Sequence, residues 1–245
     1  MFEEKRRKIK TNNDGLTLIA QSSTEILLTQ LSRAAAWLGL SLPVSQQNML
    51  LEYLFELKKW NQTYNLTAVK TIDEMLIQHV FDCLALIPVL QAYERDFGHS
   101  FQLIADVGSG AGLPAVVVAV ARPTTLVISI DSVQKKTSFV QHTANKLGLV
   151  NLEARHSRVE KIKDIKADLV ISRAFASLSD FVEISEGITK NTSVMAAMKS
   201  RQLKTEIASF ARNRSDWNVH CVNEVGVPEM QATRYIAWLR RKNDE

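Results

Sequence analysis

The stretch IADVGSGAGLPA, residues 104–115, constrains this chain more than any other part of it. A short apolar run hands over to a turn carrying Gly108, Gly110 and Gly112, and an apolar segment follows at once. Three glycines in five residues let a backbone turn tightly and let a ligand approach it closely. If the following segment is a helix, its first turn offers unpaired N–H groups to an anionic or polar ligand. The arrangement therefore points to a strand, a glycine turn and a helix that cradle a nucleotide-like cofactor. The spacing discriminates further. A dinucleotide fold wants G-x-G-x-x-G, which would place the third glycine at 113, where Leu113 stands.

The grammar around the turn extends this reading. QLIADV (102–107), TLVISI ending at Asp131, a run around Leu152, ADLVIS (167–172) and TSVMAAM (192–198) read as buried strands. Between them lie helical patterns, such as 132–147 with Phe139, Val140, Ala144 and Leu147, closed by Gly148. Strands alternating with helices at this spacing predict an α/β fold with a mostly parallel sheet. WNVHCVNEV and TRYIAWLR, with VPEM between them, are too close for a helical crossover and should pair antiparallel at the sheet edge.

The first hundred residues differ. Ser23 or Thr24 can cap a helix with Ile26, Leu27, Leu31, Ala34, Ala35 and Leu38 on one side, ended by Gly39. A second runs from a Ser45 cap to Trp60 with Leu50, Tyr53, Leu54 and Leu57 on its stripe. A third, capped by Asp73, carries Leu76, Val80, Cys83, Leu84 and Ile87 until Pro88 disturbs it. The expected organisation is a basic tail at 1–22, a helical segment at 23–100 packed on the core, and a Rossmann-like core at 101–245.

Composition bounds the class. At 245 residues and 46% apolar content the chain can bury a substantial core, and nine Gly with five Pro exclude a low-complexity chain. The longest nearly unbroken apolar stretch, 113–121, is too short to cross a bilayer, and MFEEKRRKIK lacks the apolar segment of a secretory signal. Two cysteines, Cys83 and Cys221, make neither a disulfide framework nor a metal pattern. The expectation is a reduced, cytoplasmic protein with no membrane association. Lys and Arg exceed Asp and Glu by 30 to 26, an excess that permits a polyanionic partner without demanding one.

The G-x-G-x-G spacing preceded by Asp106 looks like the cofactor loop of class I S-adenosylmethionine methyltransferases. Asp131 ends the second strand, 19 residues past Gly112, where a carboxylate can accept hydrogen bonds from both ribose hydroxyls of an adenosyl cofactor. Two acceptor chemistries are absent. ISRAFAS after the fourth strand replaces the Asn/Asp-Pro-Pro-aromatic loop that amine methylation uses, and neither cysteine sits at a strand end as a C5 nucleophile.

KWNQTYNLTAV (59–69), HVFDCL (79–84), DVGSGAGLP (106–114), ARP (121–123), the DS of 131–132, SRVE (157–160), ISRAFASL (171–178) and RYIAWLRRK occur in one order. Together, over roughly residues 25 to 242, they resemble the ribosomal RNA small subunit methyltransferase G family (glucose-inhibited division protein B). The resemblance implies a class I methyltransferase with a seven-stranded sheet and an N-terminal helical extension. It implies methyl transfer from S-adenosylmethionine to N7 of a guanine in 16S ribosomal RNA, with the 30S subunit as partner and no obligate protein partner. The cofactor contacts it implies are Gly108 and Leu113 in the loop, Val159 and Glu160 after the third strand, and Arg173 after the fourth; Gly110, Gly112 and Asp131 complete the set read from the loop itself. Arg173 would touch the cofactor's polar end or the incoming guanine. Ala115, Cys83 and Ser200 depart from the family pattern, which has glycine, serine and glycine there.

The implied chemistry needs no general base, because guanine N7 carries a lone pair and no proton. Alignment of N7, methyl carbon and sulfur then dominates. For that reason no catalytic base is named, and His79 and Asp82, three residues apart on one helical face, are read as structural or RNA-facing. Trp60, Asn61 and Asn65 either stack on and bond to an exposed base or close a helix and turn the chain. Arg122, Arg173, Lys199, Arg201 and Lys204 either bind phosphates or face water. Three other readings remain: a different methyl acceptor, an RNA-binding module with a degenerate fold, and a dehydrogenase, against which the loop spacing speaks.

Overall fold

The computed structural model describes residues 23–98, 100–173, 175, 177–200 and 203–242. The basic tail at 1–22, Arg201, and Ala174 and Ala176 of the SRAFAS stretch lie outside the described residues.

Seven strands form one sheet: β1 (Leu103–Val107), β2 (Leu126–Asp131), β3 (Leu152–His156), β4 (Ala167–Ser172), β5 (Thr189–Lys199), β6 (Trp217–Val225) and β7 (Arg234–Arg241). Their order is β3-β2-β1-β4-β5-β7-β6. The first five strands pair in parallel, and β7 runs antiparallel between β5 and β6. The two late strands thus do pair antiparallel at the edge, with β7 inserted inside β6. The central strands read as nearly continuous apolar runs because both faces are covered. Ile104, Val127, Leu169 and Ala196 face one core, whereas Ala105, Ile128, Val170 and Met195 face the other.

The first face is covered by α1 (23–37), α2 (Val44–Tyr64), α3 (Ile72–Phe97), α4 (Ala115–Ala121) and α5 (Gln134–Leu147). The second is covered by α6 (Leu178–Ser185) and α7 (Leu203–Asn213), through Leu178, Phe181, Leu203 and Phe210. Leu27, Leu31, Ala34 and Ala35 of α1 are buried as their spacing predicts, but Ile26 is exposed because it falls off that stripe.

Helix ends differ from the sequence reading in instructive ways. α2 begins after Pro43 rather than at Ser45 and runs four residues past Trp60, ending at Asn65 in a left-handed conformation. Thr71, not Asp73, caps α3: its Oγ1 accepts the Glu74 N–H at 3.3 Å. Pro88 disturbs α3 as expected but does not end it. It has no N–H for the Leu84 carbonyl, the regular ladder breaks at Ala85, and the helix resumes as Leu86–Phe97 with the proline in its first turn. Upstream, Leu76–Phe81 forms a wide π-helical turn, a feature often found at functional sites. By length and composition α3 passes for a membrane span, with mean hydropathy 1.6, longer than the apolar stretch at 113–121; but 67% of that window is buried in the protein, as a core helix should be.

Candidate active site

The carboxyl ends of β1, β2 and β3 open onto a cleft of about 450 Å³. The glycine loop forms one wall because it is sewn to the end of β2: the Gly108 and Ser109 amides both donate to the Ile130 carbonyl, at 2.9 and 3.1 Å. Gly108, Gly110 and Gly112 all have positive φ (70°, 60° and 82°), a region that side-chain-bearing residues rarely occupy. A Cβ at Gly110 would meet only the Gly108 carbonyl, 4.0 Å away, whereas one at Gly112 would lie 2.5 Å from Val116 Cγ2. Gly110 therefore serves the turn, and Gly112 also serves the packing of loop on helix.

Two aspartates hold the loop from below. Asp106, fully buried at the end of β1, accepts the Ala115 N–H through Oδ2 at 3.0 Å; its Oδ1 is buried without a partner among the described residues. Burial raises its pKa to about 6, opposed by the neighbouring Ser109 side chain, the Ala115 amide and the Arg173 charge. Asp131, at the end of β2, accepts the Gly110 N–H through Oδ2 at 2.9 Å and the Val133 N–H through Oδ1 at 2.8 Å. A third support comes from α2: the buried Tyr53 hydroxyl donates to the Ala111 carbonyl at 2.9 Å.

These bonds correct one expectation. The start of α4 does not offer a row of free amides, because Ala115 donates to Asp106, Val116 to Gly112 and Val118 to Pro114. The loop is closed on itself, and what it presents to the cleft is glycine backbone and the Asp131 carboxylate.

Gly108, Asp131, Val159 and Glu160 line this one cleft, with Val133 and Phe175. Val159 is buried at the start of a short 3₁₀ turn, and Glu160 beside it is exposed. Gly110 is tied to the same cleft through Asp131, but Gly112 and Leu113 pack behind the loop, Leu113 being buried in the core.

Arg173 stands elsewhere. It lines a second pocket, of about 320 Å³, beyond the carboxyl ends of β4 and β5, with His79, Asp82, Met198, Lys199 and Arg234. Asp82 is buried and holds two arginines, Arg173 Nη1 on Oδ2 at 3.3 Å and Arg234 Nε on Oδ1 at 2.8 Å. Arg173 Nη1 also donates to the Gln78 carbonyl at 3.2 Å. His79 Nε2 is 2.8 Å from Thr67 Oγ1, and burial, aided by the Arg173 charge, lowers its pKa to about 4. Cys83 is fully buried, which pushes its thiol pKa up.

The remaining candidates resolve into structure. Trp60 packs its ring on Phe139 and His142, at centroid distances of 5.4 and 5.2 Å. Asn61 bridges the turn after α2, donating to the Val69 carbonyl and accepting the Thr67 N–H, while Asn65 ends the helix. Arg122 is held by Glu94 through two bonds of 2.9 and 2.6 Å, and Lys199 by Glu206 and the Phe175 carbonyl. Lys204 is exposed. Sequence reasoning did not single out Tyr53 or Arg234 as functional residues. One sits in a helical apolar stripe and the other at the start of a strand, and no local spacing marks either.

Comparison with known proteins bears on this geometry. A family profile described as rRNA small subunit methyltransferase G matches residues 46–237. Three proteins named ribosomal RNA small subunit methyltransferase G are similar over most of their length. That of Bordetella avium is 40% identical over 213 residues, covering 86% of this chain and 92% of its own. That of Acidovorax ebreus is 40% identical over 230 residues, covering 92% and 99%. That of Methylibium petroleiphilum is 39% identical over 224 residues, covering 91% and 99%.

Proposed function

The chain belongs to the rRNA small subunit methyltransferase G family, an S-adenosylmethionine-dependent rRNA methyltransferase family, and from that premise we propose that it methylates N7 of one guanine in 16S rRNA, on the 30S subunit in the cytoplasm. The observation that carries the reading is the Asp131–Gly110 bond, which fastens a G-x-G-x-G turn to a strand-end carboxylate beside an open cleft.

The residues present fit an adenosyl cofactor. A carboxylate offers about four acceptor sites, and Asp131 gives one from each oxygen to backbone amides, leaving capacity for ribose hydroxyls. Ile130, Val133 and Val159 supply apolar wall for an adenine, with Glu160 at the rim. Bound there, S-adenosylmethionine supplies an electrophilic methyl carried on a sulfonium.

The chain's own part is to align and to exclude side reactions. N7 carries no proton, so no residue has to take one before attack. The groups nearest the second pocket are consistent with a direct, in-line attack. The Asp82 oxygens are engaged by two arginines, and His79 is held neutral and bonded to Thr67. The buried, protonated Cys83 supplies no nucleophile. Catalysis then rests on holding the guanine at near-attack distance.

The test is label transfer. Full-length protein is incubated with methyl-labelled S-adenosylmethionine and 30S subunits, beside 50S subunits and protein-free 16S RNA. Digestion to nucleosides should place the label in 7-methylguanosine from the 30S sample. Label in any other nucleoside, or in 50S RNA, overturns the assigned acceptor.

A further inference from the structure

The second pocket neighbours the first cleft: Phe175 lines the cofactor cleft, and its carbonyl accepts a hydrogen bond from the Lys199 ammonium of the second pocket at 2.9 Å. The sheet order explains the adjacency. β1 and β2 carry the glycine loop and Asp131, whereas β4, on the other side of β1, ends one residue before Arg173, and β5 ends at Lys199. Ligands in open α/β sheets collect outside the strand carboxyl ends at such a switch.

The pocket is built around Asp82, whose side chain is only 4% exposed. Each of its oxygens takes a different guanidinium, one arriving 91 residues later from just past the end of β4 and one 152 residues later from the start of β7. Arg234 binds through Nε, which leaves both of its Nη groups without a partner among the described residues. Lys199 is neutralised by Glu206, so the pocket's balance is two arginines against one aspartate, a net positive site. Met198 gives it an apolar wall, and the π-helical turn Leu76–Phe81 delivers His79 to its edge.

A carboxylate that fixes two guanidiniums at fixed angles, one with a free fork, prepares a receptor for a phosphate rather than for a neutral ligand. We propose that this pocket seats the target nucleotide, its phosphate held by Arg234 and Arg173 and its base against Met198, with Asp82 as the positioning residue. The proposal rests on the functional reading above and deepens it.

The experiment compares Arg234→Ala, Arg234→Lys and Asp82→Asn with the wild type. For each we would measure S-adenosylmethionine affinity by calorimetry, KM and kcat on 30S subunits, and the slope of RNA binding against salt. Arg234→Ala should leave cofactor affinity within about twofold, raise KM roughly tenfold or more, and flatten the salt slope by about one ion. Arg234→Lys should restore the slope but only part of KM, because a lysine keeps the charge and loses the fork. Asp82→Asn should raise KM while keeping the slope, since both arginine charges remain. Loss of cofactor affinity in step with activity in Arg234→Ala would assign the pocket to the cofactor and overturn the proposal. Unchanged KM and slope would make the ion triad purely structural, which also overturns it. If Asp82→Asn does not fold, the two variants of the more exposed Arg234 carry the test. A wild type that binds 16S RNA in a filter assay yet labels no guanine sinks the functional reading alone; the pocket is then judged on that binding, which Arg234→Ala must weaken.

Discussion

The Gly110 amide and the Asp131 carboxylate, 21 residues apart, meet at 2.9 Å and lock the glycine loop to the end of the second strand. The same carboxylate lines the cleft, so one side chain both shapes the loop and faces the ligand.

Replacing Asp131 with alanine removes both functions. Hydrogen bonds to a charged group are worth about 2 kcal/mol, so S-adenosylmethionine affinity should fall by roughly thirtyfold. Asp131→Asn, which can still accept from one amide, should lose less. Isothermal titration of the two variants checks the order.

The glycines separate loop geometry from packing. Gly112→Ala drives a Cβ to 2.5 Å from Val116, a fully buried helix residue, and strains a φ of 82°. Overpacking and strain together cost about 3 kcal/mol, lowering the melting temperature by roughly 10 °C. Gly110→Ala meets open space and should lose only about 1 kcal/mol of stability, from its left-handed φ. Its main effect should be on cofactor binding. Thermal melts set beside titrations distinguish the two.

Tyr53 ties the helical extension to the loop. Tyr53→Phe deletes only the hydroxyl that donates to the Ala111 carbonyl, leaving a buried acceptor short of one bond. A loss of about 1 kcal/mol of stability is expected, lowering the melting temperature by roughly 3 °C, with a severalfold weaker cofactor affinity beside it. An unchanged affinity beside that loss would deny the hydroxyl a role in shaping the loop.

Two buried groups make opposite contributions to pH dependence. His79 has a folded pKa of about 4 against an ordinary 6.5, so its stabilising contribution is present above pH 6.5 and is lost as pH falls toward 4. Asp106 has a folded pKa of about 6 against 3.8, so its contribution is present below 3.8 and is lost as pH rises through 6. Each is on the order of 3 kcal/mol, and between pH 4 and 6 they oppose. Relative to wild type, Asp106→Asn should make stability rise more steeply with pH in that window, and His79→Gln should make it rise less steeply. Urea unfolding at several pH values reads both slopes.

Much of this was legible in the sequence, for physical reasons. β4 matches its predicted run residue for residue, and β1 and β2 lie within theirs, because covered parallel strands are unbroken apolar runs. β6, an antiparallel edge strand, matches as well because Ser215 and Asp216 before it and Gly226 after it bracket the run. Of the cleft residues, Gly108 and Asp131 were legible because a glycine turn and a strand end dictate their place, whereas Val159 and Glu160 came from the family resemblance and from no local pattern. Helix starts were not legible: Thr71 competes with nearby Asp73 on equal local terms, and α2 starts after Pro43, which makes no side-chain cap bond, rather than at the better capping residue Ser45. Pro88 announced the break at Ala85, but not that packing carries the helix on to Phe97 beyond it. Trp60 and Asn61 could each face RNA or the core until Phe139, Val69 and Thr67 were seen to occupy them. The Asp82 triad joins residues 91 and 152 positions apart, and no one-dimensional pattern carries that.

The most direct test of the central claim is the methylation state of 16S rRNA from cells lacking this gene, beside cells with it restored. Borohydride reduction, aniline cleavage and reverse transcription map 7-methylguanine to single nucleotides. Loss of one such site, restored by the wild-type protein and not by the Asp131→Ala variant, is the expected result. A 16S rRNA with every 7-methylguanine unchanged would contradict the assigned reaction.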